Sequence, residues 1–295
     1  MRVLVTGTQG QVARALIERG AAEGVAIEAL GRPDYDLLHP SRLAEAIEAS
    51  AADVVVNAAA YTAVDKAESE PEIAAAINGV AAGEIAGAAA RRGVPIIQLS
   101  TDYVFDGALE RPYREDDPLG PISAYGRSKR AGERAVVAAN PRHVVLRTAW
   151  VYSPFGTNFV KTMLRLGETR DTVRVVADQK GSPTSAFDIA DAILTIAGRL
   201  AATPSDARLH GVFHLVGTGE ATWADFAQEI FAQAAPMGRA PVDVVPIATA
   251  DYPTPARRPS NSRLNSDKLD EVYGVRLPDW RHSLTQCLER MMTDC

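Results

Sequence analysis

Short apolar runs alternate with longer alanine-rich stretches of helical period along the first half of the chain. The apolar, β-branched runs predict strands at residues 2–6, 25–30, 53–57, 95–100 and 143–147. In the run DVVVNAAA the apolar residues are consecutive rather than alternating, which is typical of a central strand covered on both faces. Helices are predicted to begin near Gly10, Pro40, Ala67 and Ser123. The pattern predicts an α/β fold built on a doubly wound parallel sheet.

The hydrophobic pattern changes after about Trp150, where proline and glycine become more frequent and the periodic segments become shorter. No long low-complexity linker separates the halves, so we expect a second lobe packed directly against the first. A helical pattern over residues 188–200 is interpreted as a return to the first domain. We therefore expect a first domain at residues 1–150, to which residues 185–216 return, and a smaller C-terminal lobe made of residues 151–184 and 217–295.

Composition narrows the class of protein. The 295 residues are 46% hydrophobic, which is enough to bury a large core. A formal net charge of −6 provides no broad cationic field, so neither a nucleic acid nor a membrane is an expected partner. Cys287 and Cys295 lack metal-ligand spacing and the five histidines are scattered, so no metal site is predicted. Without a leader or a run of about 18 apolar residues, the sequence indicates a cytoplasmic location.

A glycine-rich turn follows the first predicted strand. In VLVTGTQGQVARAL, Gly7 and Gly10 stand between strand and helix, with Ala13 where a third glycine often stands. Gly7 suits a tight turn, Gly10 lets backbone approach a pyrophosphate, and the helix N-terminus offers free N–H groups to that anion. Such glycines can also serve the turn alone. Followed by a full alternating sheet, they predict a Rossmann-type, dinucleotide-binding first domain.

The end of the second predicted strand bears on the choice of dinucleotide. Arg32 stands there, and a cation favours the 2'-phosphate of NADP over the free ribose hydroxyl of NAD. We therefore expect NADPH, with NADH possible, although Arg32 could equally be a solvated surface side chain. Asp36 and Leu37 follow where they could border the adenine. The small residues Ala58 to Ala60 could let the cofactor lie across the strand tips, or could serve tight packing only.

Three side chains between residues 99 and 133 suggest hydride transfer to a carbonyl. Tyr125 and Lys129 are four residues apart at the start of a predicted helix, so both project from one face. A neighbouring ammonium group lowers the pKa of a phenol, so Lys129 is expected to tune Tyr125 as proton donor. Thr101, at the tip of the fourth strand, could hydrogen-bond the same carbonyl oxygen. The alternative is a surface tyrosine and a solvated lysine.

Candidate substrate contacts lie around the second lobe. TPARRPSNSRL concentrates Arg257, Arg258 and Arg263 in a proline-punctuated loop, and guanidinium forks suit a diphosphate. Three solvated surface arginines are the alternative. Trp150 could stack on a sugar or fill the seam between lobes. Together these residues favour a nucleoside diphosphate ligand.

Several motifs resemble the extended short-chain dehydrogenase/reductase family, namely GTQGQVA, NAAA, STDYVFDG and YGRSK. A narrower resemblance, to the dTDP-4-dehydrorhamnose reductase family within it, rests on AAYTAVDKAESEP, LRTAWVY, NFVKTMLRL, DQKGSPT and YPTPARRPSNSRLN. It extends over nearly the whole chain in the family's order. The resemblance implies reduction of the C4 keto group of dTDP-4-dehydro-L-rhamnose. A reductase or epimerase of another nucleotide sugar, or a non-catalytic regulatory subunit on the same fold, stays open.

The resemblance also implies roles for particular residues. Tyr125 would donate the proton, Lys129 would hold the nicotinamide ribose and tune Tyr125, and Thr101 would orient the carbonyl. The cofactor would be bordered by Gly10, Gln11, Val12, Asp36, Leu37, Ala60, Tyr61 and Thr62, and the sugar nucleotide would be contacted by Asp102, Tyr103 and Trp150. Some relatives are magnesium-linked dimers whose metal is held by carboxylates. Ala15 stands where one such acid is expected, so the sequence leaves Mg²⁺, and the choice of monomer or homodimer, open.

Overall fold

The computed structural model describes residues 1–293, so Cys295, one of the two cysteines named above, lies outside the described residues. The first lobe follows the expected alternation of strands and helices. Its elements are β1 (Arg2–Thr6), α1 (Gln11–Ala22), β2 (Ala26–Leu30), α2 (Ser41–Ala49), β3 (Val54–Asn57), α3 (Pro71–Ala75), α4 (Ala81–Arg92), β4 (Ile96–Thr101), α5 (Ala124–Ala139) and β5 (His143–Thr148).

The elements after residue 150 are shorter and more irregular. They are β6 (Val151–Tyr152), α6 (Phe159–Gly167), β7 (Thr172–Val176), β8 (Lys180–Gly181), β9 (Thr184–Ser185), α7 (Ala186–Ala202), β10 (Gly211–His214), β11 (Ala221–Thr222), α8 (Trp223–Ala234), β12 (Asp243–Ile247), α9 (Asp267–Tyr273) and α10 (Trp280–Thr293). Single 3₁₀ turns cover Lys66–Glu68, Asp102–Val104, Ala207–Leu209, Ala235–Met237 and Thr249–Asp251.

A six-stranded sheet forms the centre of the molecule, in the order β10-β5-β4-β3-β1-β2, and all of its neighbouring strands pair in parallel. Val54 and Val56 pack into one buried cluster with α1 and α7, whereas Val55 packs into another with α2 and α4. Because helices cover both faces of β3, its residues can all be apolar. The predicted doubly wound parallel sheet is confirmed.

All five predicted strands are present within one residue of the predicted bounds. The helix predicted to begin near Ala67 begins instead at Pro71, after a 3₁₀ turn at Lys66–Glu68. Proline lacks the N–H that the first helical position leaves unused, so Pro71 fixes the start there. The helix predicted over residues 188–200 is α7.

The helical run Pro71–Arg92 joins α3 to α4 through a π-helical segment, Ala76–Val80. By length and composition alone this run could cross a membrane, but half of its most apolar window is buried inside the protein, as in a core helix. A π-helical segment displaces side chains from the regular helical register and is frequent near functional sites. Here it buries Asn78 beside the end of β3.

The second lobe packs around its own apolar cluster, which includes Tyr152, Phe226 and Trp280. Its β7 and β12 pair in parallel, and α6, α8 and α10 contribute to the same core. Three elements from this half of the sequence lie elsewhere, since β10 extends the main sheet beside β5, α7 packs against α1, and α9 packs against β10 and α7. Trp150 contacts the second-lobe cluster and a further one containing Phe105. The proposed division at residues 150, 185 and 216 stays a prediction.

Candidate active site

The position of helix α5 follows from two small residues at its start. Ser123 caps the helix, its hydroxyl accepting the Gly126 N–H at 3.1 Å. A Cβ at Gly126 would overlap the carbonyl oxygen of Tyr103. Glycine therefore lets the first turn of α5 lie directly against the turn that follows β4. This contact places Tyr125 beside the tip of that strand.

Thr101 and Tyr125 meet at this point. Thr101 ends β4, and its buried hydroxyl donates to Asp102 Oδ1 at 3.0 Å and accepts the Tyr103 N–H at 3.2 Å, with Tyr125 beside it. Burial raises the pKa of Tyr125 well above its ordinary value, and the nearby Asp102 carboxylate raises it further. Tyr125 therefore stays a protonated phenol at neutral pH, able to give up a proton.

Asp102 links the strand tip to the second lobe. It is only 3% exposed, and burial raises the pKa of its carboxyl to about 6, while the nearby Ser262 and Thr101 hydroxyls lower that pKa; Oδ1 accepts the Thr101 hydroxyl and Oδ2 has no hydrogen-bond partner. Tyr103 meets the Tyr125 ring edge-on, with centroids 5.6 Å apart. Sequence reasoning missed Ser262, because nothing in NSRLN marks one hydroxyl above another.

Lys129 is placed differently from the expectation. Its Nζ donates to the Leu99 carbonyl oxygen at 2.8 Å, and the side chain is buried. Burial lowers the pKa of Lys129 to about 8, and the carboxylate of Glu133 raises it. In this structure burial and Asp102 raise the pKa of the phenol while the ammonium group is held by the strand, so the tuning of Tyr125 by Lys129 stays a prediction.

The predicted phosphate turn fits a dinucleotide. Gly7 has a φ of +92°, and a Cβ there would lie 3.3 Å from Ala59 Cβ. Nothing lies within 4 Å of a Cβ built at Gly10, and α1 has no side-chain cap. Its first-turn N–H groups are thus left for an anion. Since β1 lies between β2 and β3, this turn adjoins the ends of both neighbouring strands.

The first two residues of α1 differ in environment. Val12 is buried in the core, so its side chain supports the turn from below. Gln11 reaches across to the second lobe, where its Oε1 accepts the Ser153 hydroxyl at 2.7 Å and Asn158 Nδ2 at 2.9 Å. The phosphate turn and the second lobe are therefore directly connected.

The residues after β2 lie beside this turn. Arg32 is exposed, and Leu37 packs on a core cluster. The Asp36 carboxylate accepts the N–H of Leu38 at 3.0 Å, which closes a local turn.

The segment after β3 is fixed by the π-helical Asn78, which the sequence reasoning missed. Asn78 Oδ1 accepts the Tyr61 N–H at 2.8 Å, and its Nδ2 donates to the Tyr61 carbonyl and to the Ser128 hydroxyl. The Tyr61 hydroxyl donates to Glu70. Ala60 is half-buried and Thr62 exposed, so this segment borders the strand tips with α5 behind it.

Trp150 fills the seam between the lobes. Its ring stacks on that of Trp223, with centroids 3.6 Å apart and planes 10° apart, and its backbone has a φ of +49°. A positive φ at a bulky residue is strained and persists where packing fixes it. A Cβ at Gly181 would overlap the Trp150 ring. The glycine of DQKGSPT thus makes room for this indole.

Two of the three loop arginines already hold carboxylates. Arg258 is paired with Asp65 at 2.8 Å, and Arg263 with Glu220 at 2.8 Å. Arg257 is exposed. Two of the three guanidinium groups expected to bind a diphosphate are therefore paired with carboxylates of the protein itself.

The fold and site define a class of protein. A doubly wound parallel sheet, a glycine-rich turn after β1, and a threonine, tyrosine and lysine around the tip of β4 are the features of an NAD(P)-dependent reductase of the extended short-chain dehydrogenase/reductase type. Residues 1–293 match the family model described as RmlD substrate binding domain. The chain belongs to this family, that of the dTDP-4-dehydrorhamnose reductases.

Individual relatives are similar to this protein along nearly the whole chain. The dTDP-4-dehydrorhamnose reductase of Sinorhizobium fredii is 55% identical over 283 residues, which cover 96% of this chain and 95% of that protein. The Escherichia coli enzyme of the same name is 41% identical, with 99% of each chain covered. Among solved structures, the dTDP-4-dehydrorhamnose reductase of Bacillus anthracis in complex with NADP superposes with a TM-score of 0.88 at 34% identity, covering 100% of this chain and 99% of that one.

Proposed function

We propose that this protein reduces the C4 keto group of dTDP-4-dehydro-L-rhamnose with NADPH, giving dTDP-L-rhamnose. The observation that carries the proposal is the position of Tyr125, at the start of α5, beside Thr101 at the carboxyl end of β4. Ligands of open parallel sheets bind at this edge. Membership of the family supplies the substrate class, because its relatives are named for that reaction.

The residues that would hold the cofactor follow the edge of the sheet. Gly7, Gly10, Gln11 and Val12 would receive the pyrophosphate, and the nicotinamide ribose would meet Tyr125 and Lys129. Arg32 supports NADPH over NADH, because an exposed guanidinium at the end of β2 can pair with a 2'-phosphate. The adenosine end and the strand tips would be bordered by Asp36, Leu37, Ala60, Tyr61 and Thr62. When bound, the reduced nicotinamide supplies the hydride.

The chain's own contribution is proton transfer and orientation. Thr101 would exchange its present bond to Asp102 for one to the substrate carbonyl oxygen, donating its single hydroxyl hydrogen and fixing that oxygen beside the phenol. Tyr125 would then protonate the oxygen as it gains negative charge. Burial and the Asp102 carboxylate raise the pKa of the Tyr125 phenol, so Tyr125 is present in its protonated form at neutral pH and has a proton to give.

The second lobe would bind the nucleotide sugar. Asp102 and Tyr103 lie at the end of β4, and Trp150 borders the same cleft at the end of β5. Arg257 is the loop arginine best placed to meet a phosphate, while Arg258 and Arg263 would do so by exchanging their present carboxylates. Approach of this lobe would exclude water from the reacting carbonyl.

No residue of this mechanism is assigned to magnesium, whose requirement stays open. Within residues 1–293, no group of three or more His, Cys, Asp or Glu side chains is arranged to hold a metal ion, and Ala15 is buried in α1. A single chain holds every residue assigned here, so the mechanism works in a monomer or in a homodimer.

The test is direct. Purified protein is mixed with dTDP-4-dehydro-L-rhamnose and NADPH, and nicotinamide absorbance is followed; we expect oxidation and one equivalent of dTDP-L-rhamnose. Folded protein that binds NADPH yet turns over nothing would refute the proposal and favour a regulatory subunit. A panel of other nucleotide-linked keto sugars separates the remaining alternatives, since faster turnover of a different sugar would reassign the substrate.

A further inference from the structure

A buried ion pair lies behind the catalytic helix. Glu133 on α5 and Arg147 on β5 are 5% and 3% exposed, and they form a two-point contact, Nε to Oε1 at 2.9 Å and Nη2 to Oε2 at 2.8 Å. The Ser100 hydroxyl donates to Glu133 Oε1 at 2.6 Å. Three hydrogen bonds therefore fix the carboxylate in one orientation inside the protein.

Lys129 lies one helical turn before this carboxylate. It is 4% exposed, and its own hydrogen bond goes to a neutral acceptor, the Leu99 carbonyl. The titratable groups on the elements packed around it are the buried Glu133 and the half-buried Tyr125 on α5, the buried Asp102 at the end of β4, and the buried Arg147 on β5. The carboxylate of Glu133, one helical turn along α5, raises the pKa of Lys129.

We propose that Glu133 is a positioning residue that keeps the buried Lys129 ammonium charged, and that Arg147 and Ser100 hold its carboxylate one turn away. An isolated ammonium group loses its proton readily when it is removed from water. A carboxylate free to move would bond Lys129 directly and occupy its N–H donors. Held by Arg147, it acts through its field alone and leaves those donors for a ligand.

Any effect of the Lys129 charge on turnover rests on the proposed function. The charge itself can be measured whether or not the protein has that activity. The chain has only five lysines, so NMR of protein labelled with ¹³C at lysine Cε gives a spectrum simple enough to titrate. These are Lys66, Lys129, Lys161, Lys180 and Lys268. Loss of one resonance in Lys129→Arg assigns the signal.

The experiment compares the Lys129 titration in four proteins. We expect a midpoint near pH 8 in the wild type, and a midpoint lower by about one pH unit in Glu133→Gln, which keeps the shape and removes the charge. Glu133→Asp keeps the negative charge, so its Lys129 midpoint should lie close to that of the wild type. Glu84→Gln, the same change at an exposed position of α4, should leave the midpoint unchanged.

Each result decides one way. An unchanged Lys129 midpoint in Glu133→Gln, with lower thermal stability, would make the pair purely structural and overturn the proposal. If Glu133→Gln does not fold, a wild-type amine that already titrates below about pH 7 overturns it without any variant. With the expected shift and no turnover in the wild type, the inference stands and the proposed function fails.

Discussion

Arg258 holds both carboxylate oxygens of Asp65, with Nη1 3.0 Å from Oδ1 and Nη2 2.8 Å from Oδ2, although 193 residues separate the two in sequence. Asp65 also accepts the N–H of Ala256 at 3.2 Å. The segment after β3, which is proposed to border the cofactor, is thereby fastened to the arginine loop of the second lobe.

Asp65→Asn should loosen this connection. The pair is part exposed, so we expect a loss of about 1 kcal/mol and a fall of a few degrees in melting temperature. The Michaelis constant for the nucleotide sugar should rise several-fold while NADPH affinity changes little. Asp267→Asn, which weakens the exposed pair with Arg276, is the matched control. An unaltered Michaelis constant would show that the link plays no part in substrate binding.

Tyr125→Phe removes the proposed proton donor and keeps the ring. Turnover should fall by about 10²–10⁴-fold, with NADPH binding measured by fluorescence retained. Tyr113→Phe is the matched control, because the Tyr113 hydroxyl donates to Asp106 at 2.6 Å and has no assigned part in the reaction. Equal activity in the two variants would mean that another group supplies the proton.

The pH dependence of kcat/KM should report Lys129. Its pKa in the folded protein is lowered to about 8, so the ammonium form disappears as pH rises through that value. We expect kcat/KM to decline above about pH 8, because this ratio follows the free enzyme. The measurement is a profile in overlapping buffers at constant ionic strength. A ratio that stays level to pH 10 would exclude a required ammonium group.

Asp102→Asn should stabilise the protein at neutral pH. The folded-state pKa of Asp102 is raised to about 6 from 3.8, so its contribution to stability is fully present below pH 4 and is lost as pH rises through about 6. Between pH 4 and pH 7.5, ionisation of Asp102 should lower the free energy of unfolding of the wild type by at most about 3 kcal/mol. The variant's melting temperature should exceed the wild type's at pH 7.5 and equal it near pH 4. A variant less stable at both pH values would contradict this reading.

Gly181→Ala should be strongly destabilising, because the added methyl group would overlap the Trp150 ring. We expect a loss of about 1–3 kcal/mol in thermal or urea unfolding. Gly198→Ala supplies the control, since nothing lies within 4 Å of its Cβ and it stands inside α7. That change should stabilise by up to about 1 kcal/mol. Similar behaviour of the two variants would show that the indole can move aside.

Local patterns predicted much of the fold and only part of the site. Buried parallel strands are continuous apolar runs, so their positions could be read directly, and α5 carries Ser123 as a visible cap. The ion pairs of Asp65 with Arg258 and of Glu133 with Arg147 leave no such trace, because they join residues that only the tertiary fold brings together. Glu133 had one available signal, its position four residues after Lys129. The carbonyl that captures Lys129 had none.

The stacked indoles of Trp150 and Trp223 give the molecule a built-in optical reporter. Two of its three tryptophans lie face to face where the lobes meet, and the third, Trp280, is enclosed in the second-lobe core. Coupled indole transitions produce an exciton band in circular dichroism that depends on ring separation. A change in the separation of these two rings can therefore be followed without attaching any label.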